Sequence, residues 1–81
     1  MLKIATKTRL SSEEAIKRAV DFFGPEGHGL EVKNQTADCA YFEGGGGGVN
    51  VTACTEGKET SVELESREWD YQVKEFILKI H

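Results

Sequence analysis

One proline, two cysteines, two histidines and no long apolar run already exclude several classes for this 81-residue chain. Cys39 and Cys54 are too few to staple a small secreted scaffold, and they lack the Cys-x-x-Cys spacing of a redox or zinc motif. Free thiols in a reducing compartment are expected. Zinc needs four ligands, and only His28 and His81 could join the thiols, one in a glycine-flanked loop and one at the chain end, so no metal site is expected. No stretch approaches the ~20 apolar residues of a membrane-spanning helix. The start, LKIATKT, alternates apolar and polar residues instead of offering a signal peptide's continuous apolar segment. A cytoplasmic location and no membrane partner are the expectation.

Positive charge is scarce as well. Ten Lys and Arg against fourteen Asp and Glu leave a formal charge of −4, the wrong sign for a nucleic-acid backbone, so no nucleic-acid partner is expected. A chain of this length makes one domain, residues 1–81, and buries about 60–65% of its unfolded surface. Its whole stability is about 4–12 kcal/mol, which leaves little to hold open a large catalytic cavity.

What is present is periodic. Residues 2–8 put Leu2, Ile4 and Thr6 on one side of a strand. The stretch SSEEAIKRAVDFFGPEG then carries a capping box, Ser11 with Glu14, ahead of Ala15, Ile16, Ala19, Val20 and Phe23 at helical spacing. Gly24-Pro25 predicts its end, with Gly24 in the left-handed conformation. Four strand-like segments follow: GLEVKNQ with Leu30 and Val32, DCAYFE, GVNVTACT, and TSVELES with Val62 and Leu64 inward. The last element, SREWDYQVKEFILKIH, reads as a helix capped by Ser66, with Trp69, Val73, Phe76, Ile77 and Ile80 on one stripe. Asp70 with Lys74 and Glu75 with Lys79 are spaced to pair on its exposed side. His81 is read as complementing the helix dipole.

The segment FEGGGGGVNV, residues 42–51, resembles a phosphate-binding loop only in glycine content. No Gly-Lys-Ser/Thr follows, Val49 breaks the Gly-x-Gly-x-x-Gly spacing, and a strand rather than a helix comes next. A hairpin is expected instead. With a primed turn at Gly46-Gly47, Phe42 faces Val51, Ala40 faces Ala53 and Cys39 faces Cys54. That register sends apolar residues to one face and Tyr41, Glu43, Asn50 and Thr52 to the other.

The resulting fold class is α+β: a curved antiparallel sheet of about five strands with two helices on one face, in the order β-α-β-β-β-β-α. The run from LKIATKT through SSEEAIKRAVDFF and four strands to the final helix resembles, in element order, the TATA-box-binding-protein-like fold that also forms the core of helix-grip proteins. That resemblance implies three uses: DNA binding on the open sheet, ligand binding between the sheet and the C-terminal helix, or protein association. The expected open face, with Glu31, Lys33, Tyr41, Glu43, Asn50, Thr52, Ser61, Glu63 and Glu65, is acidic and argues against DNA. Glu63 and Glu65 alternate with Val62 and Leu64 as solvated strand residues do, and no serine, histidine and carboxylate come to a catalytic spacing. No catalytic residue and no cofactor are therefore assigned. The expected role is a binding or interaction domain, self-associating through the open face around Tyr41, Asn50 and Thr52. The alternative is a small-molecule carrier or minimal enzyme with a cavity under the C-terminal helix near Trp69.

Overall fold

The computed structural model describes residues 2–80 and orders them as β1 (Leu2–Thr8), α1 (Ser12–Phe23), β2 (Glu31–Gln35), β3 (Cys39–Gly44), β4 (Gly47–Glu56), β5 (Glu59–Arg67) and α2 (Asp70–Ile80). This is the expected α+β order. Every strand pair is antiparallel and the sheet runs β1-β5-β4-β3-β2. Hairpins connect β2 through β5 in turn, and β5 then pairs with β1, so the two strands flanking α1 in sequence lie at opposite edges. His81 lies outside the described residues. No described helix is long and apolar enough to cross a membrane.

Alternation in the strands and the 3.6-residue period of the helices bury the same layer. Ala40, Phe42, Val49, Val51, Ala53, Val62 and Leu64 point from the sheet toward Ala15, Ile16, Ala19 and Phe23 of α1 and Val73, Phe76 and Ile80 of α2. α1 lies over β4, between β3 and β5, and α2 lies over β5 and β1. Alanines 15 and 19, both fully buried, let α1 come close to the sheet. Phe23 joins the two helices to the sheet, with ring centroids 5.3 Å from Phe76 and 5.6 Å from Phe42. Burying a ring of this kind is worth about 1.5–3 kcal/mol. The Ser11 cap of α1 forms as expected, its Oγ accepting from the Glu14 amide at 3.2 Å.

The hairpin of glycines turns one residue earlier than expected. Gly45 and Gly46 carry φ of +58° and +82°, as a primed turn requires. Gly44 therefore faces Gly47, Phe42 faces Val49, Ala40 faces Val51 and Cys39 faces Thr52, in place of the predicted Phe42–Val51, Ala40–Ala53 and Cys39–Cys54 pairs. Shifting a turn by one residue shifts the partners by two, so each side chain keeps its face. The reason for the shift is tertiary. A Cβ on Gly47 would lie 1.9 Å from the carbonyl oxygen of Arg67, so Gly47 is the point where the chain leaving β5 crosses the hairpin.

Three other expectations are corrected. Ser66 does not cap the last helix: the inward series Val62, Leu64, Ser66 continues as β5, paired with Leu2 of β1. Glu68, at φ +69°, then redirects the chain, and the carbonyl of Trp69 accepts the first bond of α2 from Val73 at 3.0 Å. Ser66 still serves the entrance, its Oγ accepting from the Trp69 amide at 3.1 Å. Gly24 ends α1 in extended backbone, φ −69° and ψ −171°, instead of the left-handed form. Its lack of a side chain is steric, since a Cβ there would meet the Val20 oxygen at 2.4 Å. The pairs Asp70–Lys74 and Glu75–Lys79 do not close. Lys79 instead sits over the Phe22 ring, 5.8 Å from its centroid.

The turn makes a direct prediction. Gly45 has positive φ and the Trp69 ring 3.0 Å from where a Cβ would stand, whereas the same atom on Gly46 meets nothing within 4 Å. Gly45→Ala should lose about 1–3 kcal/mol in urea denaturation, and Gly46→Asn, a residue that tolerates the left-handed region, less than about 1 kcal/mol.

Candidate binding site on the open face

The face of the sheet away from the helices has no covering layer. Its side chains are Lys3, Ala5 and Lys7 from β1, Ser61, Glu63, Glu65 and Arg67 from β5, Asn50, Thr52 and Cys54 from β4, Cys39, Tyr41 and Glu43 from β3, and Glu31 and Asn34 from β2. The expected acidic character is corrected here. Lys3, Lys7 and Arg67, absent from the sequence-based list, stand with Lys33 against Glu31, Glu43, Glu63 and Glu65, so the charges balance four against four. Lys3 reaches Glu65 on the neighbouring strand at 3.7 Å. Glu31 and Glu43 face each other, and the bulge between Val32 and Asn34 brings Lys33 to Glu31 at 3.3 Å, which offsets their repulsion.

Within this face one recess stands out. Two neighbouring rows cross the strands: Tyr41–Asn50–Glu65, and Glu43–Gly48–Arg67. The second row has no side chain at its centre, and Tyr41 leans into that gap, its Oη 3.0 Å from where a Gly48 Cβ would be. The Arg67 guanidinium donates to the Tyr41 hydroxyl through Nη2, and the hydroxyl lies within reach of Glu43 Oε2, both at 3.4 Å. The recess, about 180 Å³, is lined by Tyr41, Gly48, Asn50, Glu65, Ser66 and Arg67. Contacts of 3.4 Å are long for charge-assisted bonds, so these groups retain donors and acceptors for an incoming polar group.

The structure brings Tyr41 and Asn50 together as direct cross-strand partners. Thr52 shares their face but lies one row away, between Cys39 and Glu63, outside the recess lining. Trp69 is elsewhere. Its half-buried indole donates from Nε1 to the Gly44 carbonyl at 2.9 Å and packs against the hairpin, with His28 6.1 Å away between ring centroids. It latches the entrance of α2 to the glycine turn. Arg67 and Gly48 were missed by the sequence reading. The outward alternation Glu63, Glu65 needs only one more step to reach Arg67, but the helix expected from Ser66 onward takes that residue in.

Other candidate groups stand apart. Cys54 is exposed and faces Ser61, while Cys39 contacts the Thr36 hydroxyl at 3.3 Å, and both thiols are free. Exposed His28 rests edge-on against Phe22, with centroids 4.7 Å apart. Among the described residues, no group of three His, Cys, Asp or Glu is placed to hold a metal ion. Val73, Phe76 and Ile80 fill the space beneath α2. A groove of about 220 Å³ opens instead between the two helices, lined by Arg18, Asp21, Phe22, Phe76, Lys79 and Ile80.

Separating the latch from the recess is testable. Trp69→Phe removes a donor from a partly buried carbonyl and should cost about 1–2 kcal/mol, lowering the thermal midpoint by roughly 5–10 °C, while the amide signals of Tyr41 and Asn50 stay in place. As to kinship, no family model matches the chain, and neither a curated protein nor a solved structure does.

Proposed function

We propose that this protein is a binding domain that engages another polypeptide through the open face of its sheet, with the Tyr41–Asn50–Arg67 recess as the point of engagement. The observation that carries the reading is the gap at Gly48. It leaves a guanidinium, a phenol, an amide and the Glu65 carboxylate around one small volume, with Glu43 in reach of the phenol, all anchored on paired strands rather than on loops. Such a set suits a partner's polar side chain with its adjoining backbone amide, since both donors and acceptors are offered. In topology we place the domain with the TATA-box-binding-protein-like and helix-grip folds, on element order alone. The charge balance of the face and the overall −4 favour a polypeptide over nucleic acid.

The same balance argues against closing two copies face to face. Eight charged side chains on each would be desolvated, with Tyr41 and Ala5 as the chief apolar return. A foreign strand or loop crossing the recess leaves most of those charges in water. Titration of isotopically labelled protein with capped peptides centred on Glu, Gln or Lys should shift the amides of residues 41, 48–50 and 65–67. Arg67→Ala should weaken the response about fivefold or more, in line with loss of one charge-assisted bond. No response at those amides to any of the peptides sinks the reading.

The inter-helix groove favours a second reading, a carrier of small amphipathic carboxylates. Phe22, Phe76 and Ile80 supply an apolar floor, and Lys79 over the Phe22 ring, with Arg18 paired to Glu14, supplies positive charge at a rim shared with Asp21. Hexanoate or phenylpropionate at millimolar concentration should then shift the amides of Phe22, Phe76 and Lys79, with Lys79→Glu abolishing the effect. Silence at those positions removes it.

A further inference from the structure

Tyr71 and Leu78 are the two large apolar side chains left in water among the described residues, 73% and 81% exposed. Both belong to α2, one heptad apart, so they project along one line. That line points away from the sheet, opposite the buried Val73, Phe76 and Ile80. Lys74 and Glu75 lie between them, one on each flank, and neither makes an ion pair with another described residue. A helix that used its sequence for internal support would have closed Asp70–Lys74 and Glu75–Lys79. This one leaves the two inner charges available.

We propose that the outer stripe of α2 is a self-association surface whose occupant is a second copy of this chain, with the two helices parallel about a twofold axis. Symmetry decides the orientation. When two helices related by a twofold axis run parallel, opposite flanks meet, so each Lys74 lies beside Glu75 of the second copy, Tyr71 stacks on Tyr71 and Leu78 packs on Leu78. When they run antiparallel, like flanks meet, setting Lys74 against Lys74 and Glu75 against Glu75. The charge pattern therefore fits only the parallel dimer. This surface is on the far side of the molecule from the recess, and the proposal stands independently of it.

Size sets the strength. Eleven residues make a helix about 16 Å long, and its outer stripe buries less than the roughly 800 Å² per partner of a standard stable interface. The dimer is accordingly weak and reversible, formed at high local concentration.

Sedimentation equilibrium between about 10 µM and 1 mM tests this, together with dilution followed by amide signals. The weight-average mass should rise above 9.0 kDa with concentration, and the shifting amides should be those of residues 71–78 with the open sheet face unmoved. Tyr71→Glu or Leu78→Glu should abolish the rise. Lys74→Glu and Glu75→Lys, each turning two attractions into two repulsions, should weaken association about five- to tenfold, and the double reversal should restore it. Tyr71, Lys74 and Leu78 are exposed and Glu75 is half-buried, so the variants should keep the fold, which circular dichroism verifies. A strict monomer at 1 mM overturns the proposal. So do single charge reversals without effect, or dilution shifts confined to Tyr41, Asn50 and Thr52.

Discussion

The contact between the glycine hairpin and the chain leaving β5 organises this fold. Gly47 admits the Arg67 carbonyl, Gly45 lies under the Trp69 ring, and Gly44 receives the indole N–H at 2.9 Å. These close approaches hold the β3–β4 turn against the start of α2. They link the middle of the sheet to the helix that covers its β1–β5 side. A run of five glycines is entropically costly, and it persists here because two positions need positive φ and two others need the space that a side chain would occupy.

From that anchor the two faces of the sheet diverge. On one, alternate residues of β3, β4 and β5 meet the aromatic and aliphatic stripes of α1 and α2, with Phe23 in contact with both Phe42 and Phe76. On the other, no layer competes with water, and charges of both signs interleave. A sheet covered on one side only is stable when the open side is polar, and this one meets that condition while leaving a gap at Gly48. The recess and the latch are consequences of the same polyglycine run: Gly48 faces outward and opens the recess, while Gly45 lies against Trp69 and Gly47 against the backbone of Arg67.

The parts of the fold that read directly from residue order were those with strong period and local chemistry. The Ser11 cap, the α1 stripe from Ala15 to Phe23, the alternation of β1, β4 and β5, and the inward stripe of α2 depend on residues a few positions apart. Thus the β-α-β-β-β-β-α order was legible, and so was the placing of Tyr41 and Asn50 on one face, although the expected register sets Tyr41 opposite Thr52 and the observed one sets it opposite Asn50. The misread places share a different feature. Ser66 satisfies the rules for a helix cap and also those for an inward strand position, and pairing with Leu2, sixty-four residues away, decides for the strand. Arg67 went unrecognised as part of the site for that reason alone. For Trp69, a lone indole near a helix start, residue order does not show the hydrogen bond that its Nε1 donates to the Gly44 carbonyl.

Residue order alone therefore decided which side chains lie in the core and which in water, because periods of two and 3.6 are properties of the local backbone. It also decided that glycine would reverse the chain between Phe42 and Val49. The choice of which two glycines turn, the end of β5, the charge balance of the open face and the recess around Gly48 belonged to the folded molecule. Each depends on a contact between segments distant in sequence, where steric exclusion between backbones outweighs the nearly equal local preferences of adjacent glycines.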